Sequence, residues 1–313
     1  MRHLQLILQV PHGTQADALS RLAGLGRLQS RGRPLPTPAC ASEAYCLALG
    51  INRQQDWPIA PFTARASGLE VGDAYWLRLD PVYLDVGMQG PFLRGGLALE
   101  AHEEVLLLDI VQPILARGGL QAFPGPGGVI HVRCATPPRL ATTPLDQVDG
   151  RQPTRFLPTG GDAPAWSRLL HELQMSLHEH PLNQARRSRG QPPVNSFWPW
   201  GGGRFAPPPR HPDAIWGTQP LLEQLATALA IPIHPCPVEL GPVLREKISA
   251  GLALVPMAFT GPGQVDETWD TAWLRPLASA LRWTRLASAR ICIPGAGGGM
   301  WDLSPRDLWR VWQ

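Results

Sequence analysis

The sequence predicts an α/β fold with a mainly parallel sheet, interrupted by a smaller α+β insertion. Short apolar runs typical of buried strands alternate with segments whose apolar residues recur at helical spacing. Hydrophobic residues make up 44% of the 313 residues, which is enough for a sizeable core and excludes a disordered chain. The length permits two domains, and we expect residues 1–74 and 196–313 to form the core and residues 75–195 to form the insertion.

Hydrophobic periodicity and turn residues define the predicted elements in chain order. The clearest amphipathic helix lies at Trp166–Leu177, where five apolar residues recur at helical spacing. Strands are predicted at Leu4–Val10, at Ala74–Leu79 continuing into Asp80–Leu84, and at Val129–Cys134, Leu252–Pro256 and Ala289–Pro294. Helices are predicted at Gln15–Leu25, Ala41–Leu49 with Gly50 as its C-cap, Glu103–Ala116, Pro220–Ala230, Thr271–Ala287 and from Ser304-Pro305 onward. Loops are predicted at Arg31–Pro38 and Ala135–Pro164, and a Pro- and Gly-rich segment lies at Pro192–Pro212.

The composition excludes several classes of protein. Proline (35) and glycine (32) make up about a fifth of the chain, and Lys247 is the single lysine among 28 basic residues. We interpret this bias as the mark of a GC-rich genome. The net charge is +3 and no run of Lys or Arg is longer than two, so neither a nucleic-acid-binding stripe nor an electrostatic membrane anchor is expected.

The cysteines and the apolar runs predict a soluble, cytoplasmic protein. The number of cysteines is odd and no Cys-x-x-Cys pair occurs, which argues against a disulfide framework and a structural zinc site. The N-terminal apolar run is too short for a secretory signal, and no run approaches the ~20 residues that a membrane-spanning helix needs. The five cysteines are Cys40, Cys46, Cys134, Cys236 and Cys292.

The densest group of polar residues lies between His178 and Arg204, at the end of the clearest helix and before the run Gly201-Gly202-Gly203. Arginine forks suit phosphate or carboxylate, and backbone N–H groups of a Gly-rich turn add donors, so this segment is a candidate anion site. The alternative is that Pro181 and Asn183 merely end the helix and the arginines are solvated. The candidate ligand-binding residues are His180, Asn183, Arg186, Arg189, Asn195, Trp198, Trp200 and Arg204.

Parts of this sequence resemble two protein families. The pattern His-Pro-x-Asn-x-x-Arg-x-x-x-Gly-x-x-x-x-Asn, which begins here at His180, resembles a motif of the archaeal-type cofactor-independent phosphoglycerate mutases of the alkaline phosphatase superfamily. Together with Gly72–Arg78, Asp80–Leu84 and Asn195–Gly203, it resembles more closely the bacterial RpfE-type regulatory protein family. The resemblance implies a degenerate alkaline-phosphatase-like core.

The sequence departs from the mutases where they hold their metals. The resemblance implies two divalent ions, a serine nucleophile and Asp and His ligands, including an acidic signature after the first strand and an Asp-His pair near the C-terminus. Here the first strand ends at Val10-Pro11-His12-Gly13, and the last one is followed by Gly295–Gly299. The stretch Gly261–Asp270 has carboxylates but no histidine. We therefore expect no metal, no cofactor and no catalytic residue.

The first hypothesis for the function is a catalytically silent regulatory or sensing protein that binds a small phosphorylated or carboxylate ligand. The second is an active metal-dependent phosphoryl-transfer enzyme. Its candidate ligands are His12, Asp266, Asp270 and Asp302. The third is an interaction module in which Trp309 and Trp312 bind a protein partner or form a homodimer.

The other tryptophans and the glycine run have simpler interpretations. Trp166, Trp273 and Trp283 lie in predicted helices and are expected in the core. Gly295–Gly299 lacks the spacing of phosphate-binding loops and is expected to be a flexible turn.

Overall fold

The computed structural model divides into two compact units. The first unit comprises Met1–Gly50 and Pro208–Gln313, and the second comprises Ile51–Pro207. The structure describes residues 2–10, 23–87, 90–257, 259–261, 264–265 and 268–309.

The strands in chain order are β1 (His3–Gln9), β2 (Arg33–Leu35), β3 (Tyr75–Gly87), β4 (Gly90–Arg94), β5 (Leu120–Pro124), β6 (Ile130–Cys134), β7 (Ser196–Arg204), β8 (Ala214–Trp216), β9 (Ile233–His234), β10 (Ala250–Pro256), β11 (Phe259–Gly261), β12 (Gln264–Val265), β13 (Ser288–Ile293) and β14 (Gly299–Leu303). The α-helices are α1 (Ala23–Arg31), α2 (Ala41–Leu49), α3 (Ile59–Ala66), α4 (Ala101–Arg117), α5 (Leu145–Val148), α6 (Ala163–His178), α7 (Pro181–Ser188), α8 (Pro220–Ala228), α9 (Leu240–Arg245), α10 (Arg275–Arg282) and α11 (Pro305–Leu308).

The first unit contains a sheet of seven described strands in the order β2-β14-β13-β1-β10-β8-β9. The five strands from β13 to β9 are parallel, whereas β14 runs antiparallel to both β13 and β2. At its centre, β1 places Leu4, Leu6 and Leu8 on one face, where they join the core of this unit. The predicted α/β class with a mainly parallel sheet is confirmed.

The helices of the first unit follow the sequence signals at most ends. Gly50 adopts a left-handed conformation with φ of 77° and caps α2, as predicted. The helix predicted over Thr271–Ala287 instead opens with a π-helical segment at Asp270–Leu274, continues as α10 and ends at Arg282. Because Trp283 lies just beyond this end, it turns away from the core and is 67% exposed, so its predicted core position is wrong.

The second unit contains an antiparallel sheet built on β3. This strand of 13 residues pairs with β6 along Tyr75–Leu79 and with β4 along Tyr83–Gly87. Its other edge pairs with β7, and β5 extends the sheet beyond β6. The helices α4 and α6 pack against this sheet with a core that includes Leu107 and Leu173.

The Pro- and Gly-rich segment Pro192–Pro212 contains β7, so the turn expected at Gly201-Gly202-Gly203 is instead part of a strand. The strand is buried along almost its whole length and pairs with β3 despite Pro199. Its glycines allow close packing: a Cβ on Gly202 would lie 2.2 Å from Tyr75 Oη, and one on Gly203 would lie 2.5 Å from Pro58 Cβ.

The compact units differ from the predicted domains at both boundaries. The prediction placed residues 51–74 and 196–207 with the core, whereas both ranges belong to the second unit. The reason is local, because β7 pairs along β3 and the rings of Phe62 and Phe205 lie 4.7 Å apart.

Two buried polar side chains, Arg78 and His131, lie next to each other on neighbouring strands of this second sheet. Arg78 on β3 is the cross-strand partner of His131 on β6, and both are buried. His131 Nε2 lies 3.4 Å from Ser67 Oγ. Burial, together with the nearby Arg78 charge, lowers the pKa of His131 to about 3, which keeps its ring neutral.

No helix in the described ranges combines the length and the apolar composition that spanning a membrane requires.

We expect Gly203→Ala to destabilise the second unit by about 1–3 kcal/mol, because the new methyl group overlaps the rigid ring of Pro58. Urea denaturation followed by circular dichroism measures this loss. Gly87→Ala is the matched control in the same sheet, since a Cβ there meets nothing within 4 Å. Equal stabilities of the two variants would contradict the close packing of β7.

Candidate functional site

The eight residues predicted to bind an anion lie on or beside α7 and β7 in the second unit. His180 is the N-cap of α7, and its Nδ1 accepts a hydrogen bond of 3.2 Å from the backbone N–H of Leu182. Pro181 occupies the first position of the helix, where it lacks only an N–H that would have no helical partner. The His-Pro pair therefore begins a helix here.

Asn183 is fully buried and connects the end of α6 to the residues before β7. Its Nδ2 donates to the carbonyl oxygens of Leu177 at 2.8 Å and Val194 at 2.7 Å. Its Oδ1 accepts from the Val194 N–H at 2.8 Å. Both donor hydrogens and the carbonyl oxygen are thus used by the backbone, so this amide stabilises the fold.

Arg186 is also buried, with 1% of its surface exposed. Its Nη1 donates to Glu103 Oε2 at 2.6 Å, and its Nε donates to the Pro192 carbonyl at 2.8 Å. Nη1 and Nη2 also donate to the carbonyl of Ala98. An anion can reach this guanidinium only if the Glu103 pair breaks.

Glu103 is the common partner of two predicted anion-binding arginines. Its second oxygen, Oε1, accepts from Arg189 Nη2. Burial by itself raises the pKa of Glu103, but the hydrogen bond to the Glu100 backbone and the charges of Arg186 and Arg189 outweigh it and hold the pKa below its usual range. The carboxylate therefore remains ionised and neutralises much of the arginine charge.

Asn195 extends the pairing of β7 with β3 through its side chain. Its Oδ1 accepts from the Leu84 N–H at 2.7 Å, and its Nδ2 donates to the Leu84 carbonyl at 3.0 Å. The amide thus provides the two hydrogen bonds that a paired strand residue would provide.

The two predicted tryptophans are anchored by their indole N–H groups. Trp198 Nε1 donates to the Thr143 carbonyl at 2.8 Å, and Trp200 Nε1 donates to Asp80 Oδ2 at 2.5 Å. Asp80 also receives two hydrogen bonds of 2.7 Å from Arg78, whose guanidinium lies 4.9 Å from the centroid of the Trp200 ring. Both rings are buried in this arrangement.

The structure therefore brings the predicted residues together as a framework of internal contacts. Arg189 and Arg204 are the exposed arginines of the set, and the Arg204 backbone exchanges two hydrogen bonds with the Gln54 side chain. A ligand-binding role for the eight residues stays a prediction.

Sequence reasoning missed Glu103, the residue that holds Arg186 and Arg189. Glu103 is the N3 residue of a capping box with Glu100 at the start of α4. The spacing of Glu100 and Glu103 before an apolar run was a usable signal for a helix start. It carries no information about an arginine 83 positions further along the chain.

A second candidate site is the edge of the first unit's sheet where the parallel strands end. Because β1, β8, β10 and β13 are parallel, their carboxyl ends share this edge, which is where ligands bind in open α/β sheets. The strands end at Gln9, Trp216, Pro256 and Ile293.

Neutral hydrogen-bonding side chains meet at this carboxyl edge. Gln9 Nε2 donates to Tyr45 Oη at 3.3 Å, and Gln219 Nε2 donates to Gln9 Oε1 at 3.5 Å. On the same strand Gln5 Nε2 donates to the Ala48 carbonyl at 3.0 Å, so α2 runs antiparallel to β1 and its first residues lie towards the edge. The contacts among Gln9, Tyr45 and Gln219 involve amides and a phenol.

These donors do not fit a centre of two divalent metal ions, which requires several converging carboxylates and imidazoles. Within the described ranges, no group of three or more His, Cys, Asp or Glu side chains is placed to hold a metal ion. Two of the predicted ligands, His12 and Asp266, lie outside the described residues, as does Trp312 of the predicted interaction surface.

The two described candidates from the metal hypothesis are paired with arginine. Asp302 on β14 pairs with Arg290 Nε at 2.7 Å, and also with Arg33. In the antiparallel register it lies opposite Arg290, towards the start of β13 and away from the carboxyl edge. Asp270 accepts a hydrogen bond of 3.0 Å from Arg275 Nε. The structure does not bring Asp302 and Asp270 into one site.

Trp309 is the described member of the predicted tryptophan surface. It is 57% exposed, and the Arg282 guanidinium lies 5.6 Å from its ring centroid. A protein partner or homodimer contact at this residue stays a prediction.

The chain is similar in sequence to archaeal phosphoglycerate mutases. No family model matches it. The 2,3-bisphosphoglycerate-independent phosphoglycerate mutase of Methanothrix thermoacetophila is 35% identical over 207 residues, which are 65% of this chain and 51% of the relative. The enzymes of the same name from Methanosarcina mazei and Methanosarcina barkeri are 26% identical over 151 residues and 25% identical over 201 residues. The match spans 37% of the M. mazei relative and 50% of the M. barkeri relative, so the chain covers half or less of their lengths.

Two solved structures align with most of the chain. A Pyrococcus horikoshii protein has a TM-score of 0.49 at 15% identity, covering 96% of this chain and 86% of that one. The cofactor-independent phosphoglycerate mutase of Thermoplasma acidophilum has a TM-score of 0.42 at 19% identity, covering 97% of this chain and 90% of that one. None of these similarities confirms membership of the RpfE-type family, which stays a prediction.

We expect Glu103→Gln to lower the free energy of unfolding by about 3–5 kcal/mol near pH 7, because it leaves buried Arg186 without its counter-charge. The folded-state pKa of Glu103 is lowered, so its stabilisation is complete above the ordinary carboxyl pKa of about 4.3 and is lost as the pH falls through the folded value. The difference between wild type and variant should therefore shrink in acid. Urea titrations at several pH values measure it.

Asp109→Asn is the matched control for this experiment, because Asp109 is exposed on the same helix. Its effect on stability should be small at every pH. An equal loss in the two variants would contradict the structural role of the Glu103 pair.

Proposed function

We propose that this chain is a catalytically silent relative of the 2,3-bisphosphoglycerate-independent phosphoglycerate mutases and acts as a regulatory or sensing protein. The observation that carries the proposal is the set of hydrogen bonds between neutral side chains that the described residues form at the carboxyl edge. Gln9 hydrogen-bonds both Tyr45 and Gln219 at the place where a metal-dependent enzyme needs charged ligands.

The relation to the mutases is supported by sequence similarity. The similarity reaches 207 residues at 35% identity. The structure supports an α/β unit of related class, with strand ends that converge on one edge. An alkaline-phosphatase-like ancestry of the first unit is part of this proposal.

The described side chains at the carboxyl edge, Gln9, Tyr45 and Gln219, suit recognition better than phosphoryl transfer. Amide and phenol groups donate to and accept from the oxygens of a polar ligand, but they do not lower the pKa of water as a bound metal ion does. A ligand rich in oxygen atoms, such as a phosphorylated three-carbon acid, would replace the contacts that Gln9 makes with Tyr45 and Gln219. Binding there would change the environment at the start of α2.

The first experiment tests for the missing reaction. The purified chain is loaded with Mn²⁺ or Zn²⁺, dialysed and analysed for metal, and then incubated with 3-phosphoglycerate while ³¹P NMR follows the appearance of 2-phosphoglycerate. We expect less than one tightly bound ion per chain and no isomerisation. Two bound ions, together with turnover that His12→Ala or Asp266→Asn abolishes, would overturn the proposal of a catalytically silent protein. They would establish the active enzyme.

The second experiment tests for sensing at the carboxyl edge. We expect 3-phosphoglycerate or 2-phosphoglycerate to raise the melting temperature of the wild type, and Gln9→Leu to remove this rise. Gln5→Leu is the matched control, because Gln5 lies on the same strand and bonds the Ala48 carbonyl. The absence of any rise with either compound, or equal loss in both variants, would contradict sensing at this edge.

A further inference from the structure

The described residues that line a cavity of about 640 Å³ in the first unit include four cationic side chains and one anionic side chain. It is lined by residues of α1, the π-helical segment, α10 and α11. Of the described residues that line it, four are arginines and one, Asp270, is a carboxylate. The arginines are Arg27, Arg31, Arg275 and Arg282.

The sequence places these arginines on two helix faces. On α1, Gly24, Arg27 and Arg31 follow each other at spacings of three and four, so they lie along one face. On α10, Arg275 and Arg282 are seven residues apart and again share a face. Each helix therefore directs two guanidiniums towards the same space.

The charges in this cavity are only partly neutralised. Arg275 donates to Asp270 Oδ2 at 3.0 Å, and Arg31 Nη1 donates to the Leu308 carbonyl at 2.9 Å, which carries no full charge. The guanidinium of Arg282 lies over the Trp309 ring. Within the described ranges, no acceptor pairs with the Arg27 guanidinium. Like charges on facing helices are unfavourable unless an anion lies between them.

One buried acceptor beside the cavity has no partner among the described residues. The Asp270 side chain is 8% exposed, and its Oδ1 makes no hydrogen bond with any residue of the described ranges. A Cβ on Gly24 would lie 1.8 Å from this oxygen, so glycine at this position leaves the oxygen room. This oxygen is thus enclosed against α1, and Asp270 offsets the arginine charge of the cavity through its contact with Arg275.

We propose that this arginine-lined cavity binds a small organic polyanion, a molecule with at least two phosphate or carboxylate groups. Each guanidinium presents a fork of donors that matches either group, and the volume lies within the range of small-molecule sites. Binding in this cavity needs neither a metal ion nor a mutase reaction. The binding proposal is therefore independent of the proposed function.

The experiment measures binding of two probes, inorganic diphosphate and citrate, by isothermal titration calorimetry with the full chain. We expect one of them or both to bind at low salt, and the affinity to fall as NaCl rises from about 50 to about 300 mM because exposed charges are screened. Arg27→Gln and Arg282→Gln should each weaken binding by about tenfold or more. Arg285→Gln, which removes an equal charge from an exposed arginine outside the cavity, should leave the affinity within about twofold.

The stability of the unliganded variants separates binding from a structural role. Removing one of several like charges should leave the melting temperature of Arg27→Gln equal to or above that of the wild type. A clear drop for Arg27→Gln would indicate that the guanidinium stabilises the fold and would overturn the proposal. Failure of both probes to bind, or equal weakening in Arg285→Gln, would overturn it as well. Binding of diphosphate alone assigns a phosphate ligand, and binding of citrate alone assigns a polycarboxylate.

Discussion

Burying a polar side chain costs free energy unless its hydrogen-bonding groups find partners, and this constraint governs the contacts that join elements within each unit. In the second unit Glu103 joins α4 to Arg186 on α7, and Asn183 joins α6 to the start of β7. In the first unit Gln9 joins the end of β1 to Tyr45 on α2. These contacts fix the ends of the elements, where apolar packing alone leaves freedom.

The same constraint separates the two groups of arginines. Arg186 forms hydrogen bonds with a buried carboxylate and makes three contacts with backbone carbonyls, so its charge is neutralised inside the fold. Arg27 and Arg282 face a cavity in which the described carboxylate, Asp270, already pairs with Arg275. An arginine-rich motif thus indicates a ligand site only after the acceptors around it are known. Polar residues are more concentrated in the sequence around Arg186, but the arginine charges beside Arg27 have fewer described carboxylate partners.

Much of the fold could be predicted from local patterns. A short apolar run predicted β1, helical periodicity predicted α4, and the Gly50 C-cap marked the end of α2. The strand β7 could not be predicted, because Pro199 and three glycines normally interrupt strands, and only the nearby Tyr75 and Pro58 explain why glycine is needed. The partners in the candidate site are distant in sequence: Glu103 reaches Arg186, and Asn195 reaches Leu84. No spacing rule connects such positions, so the sequence identified the arginines and asparagines but not what they contact.

The neutral, buried His131 has a consequence for the chemistry of the second unit. Histidine is the side chain whose ordinary pKa lies between about pH 5 and pH 8, and it is therefore the usual component of acid-sensing devices. Because the pKa of His131 is lowered to about 3, it takes up no proton in this range. His131 therefore adds no change of charge to the interior of this sheet between a neutral and a mildly acidic medium.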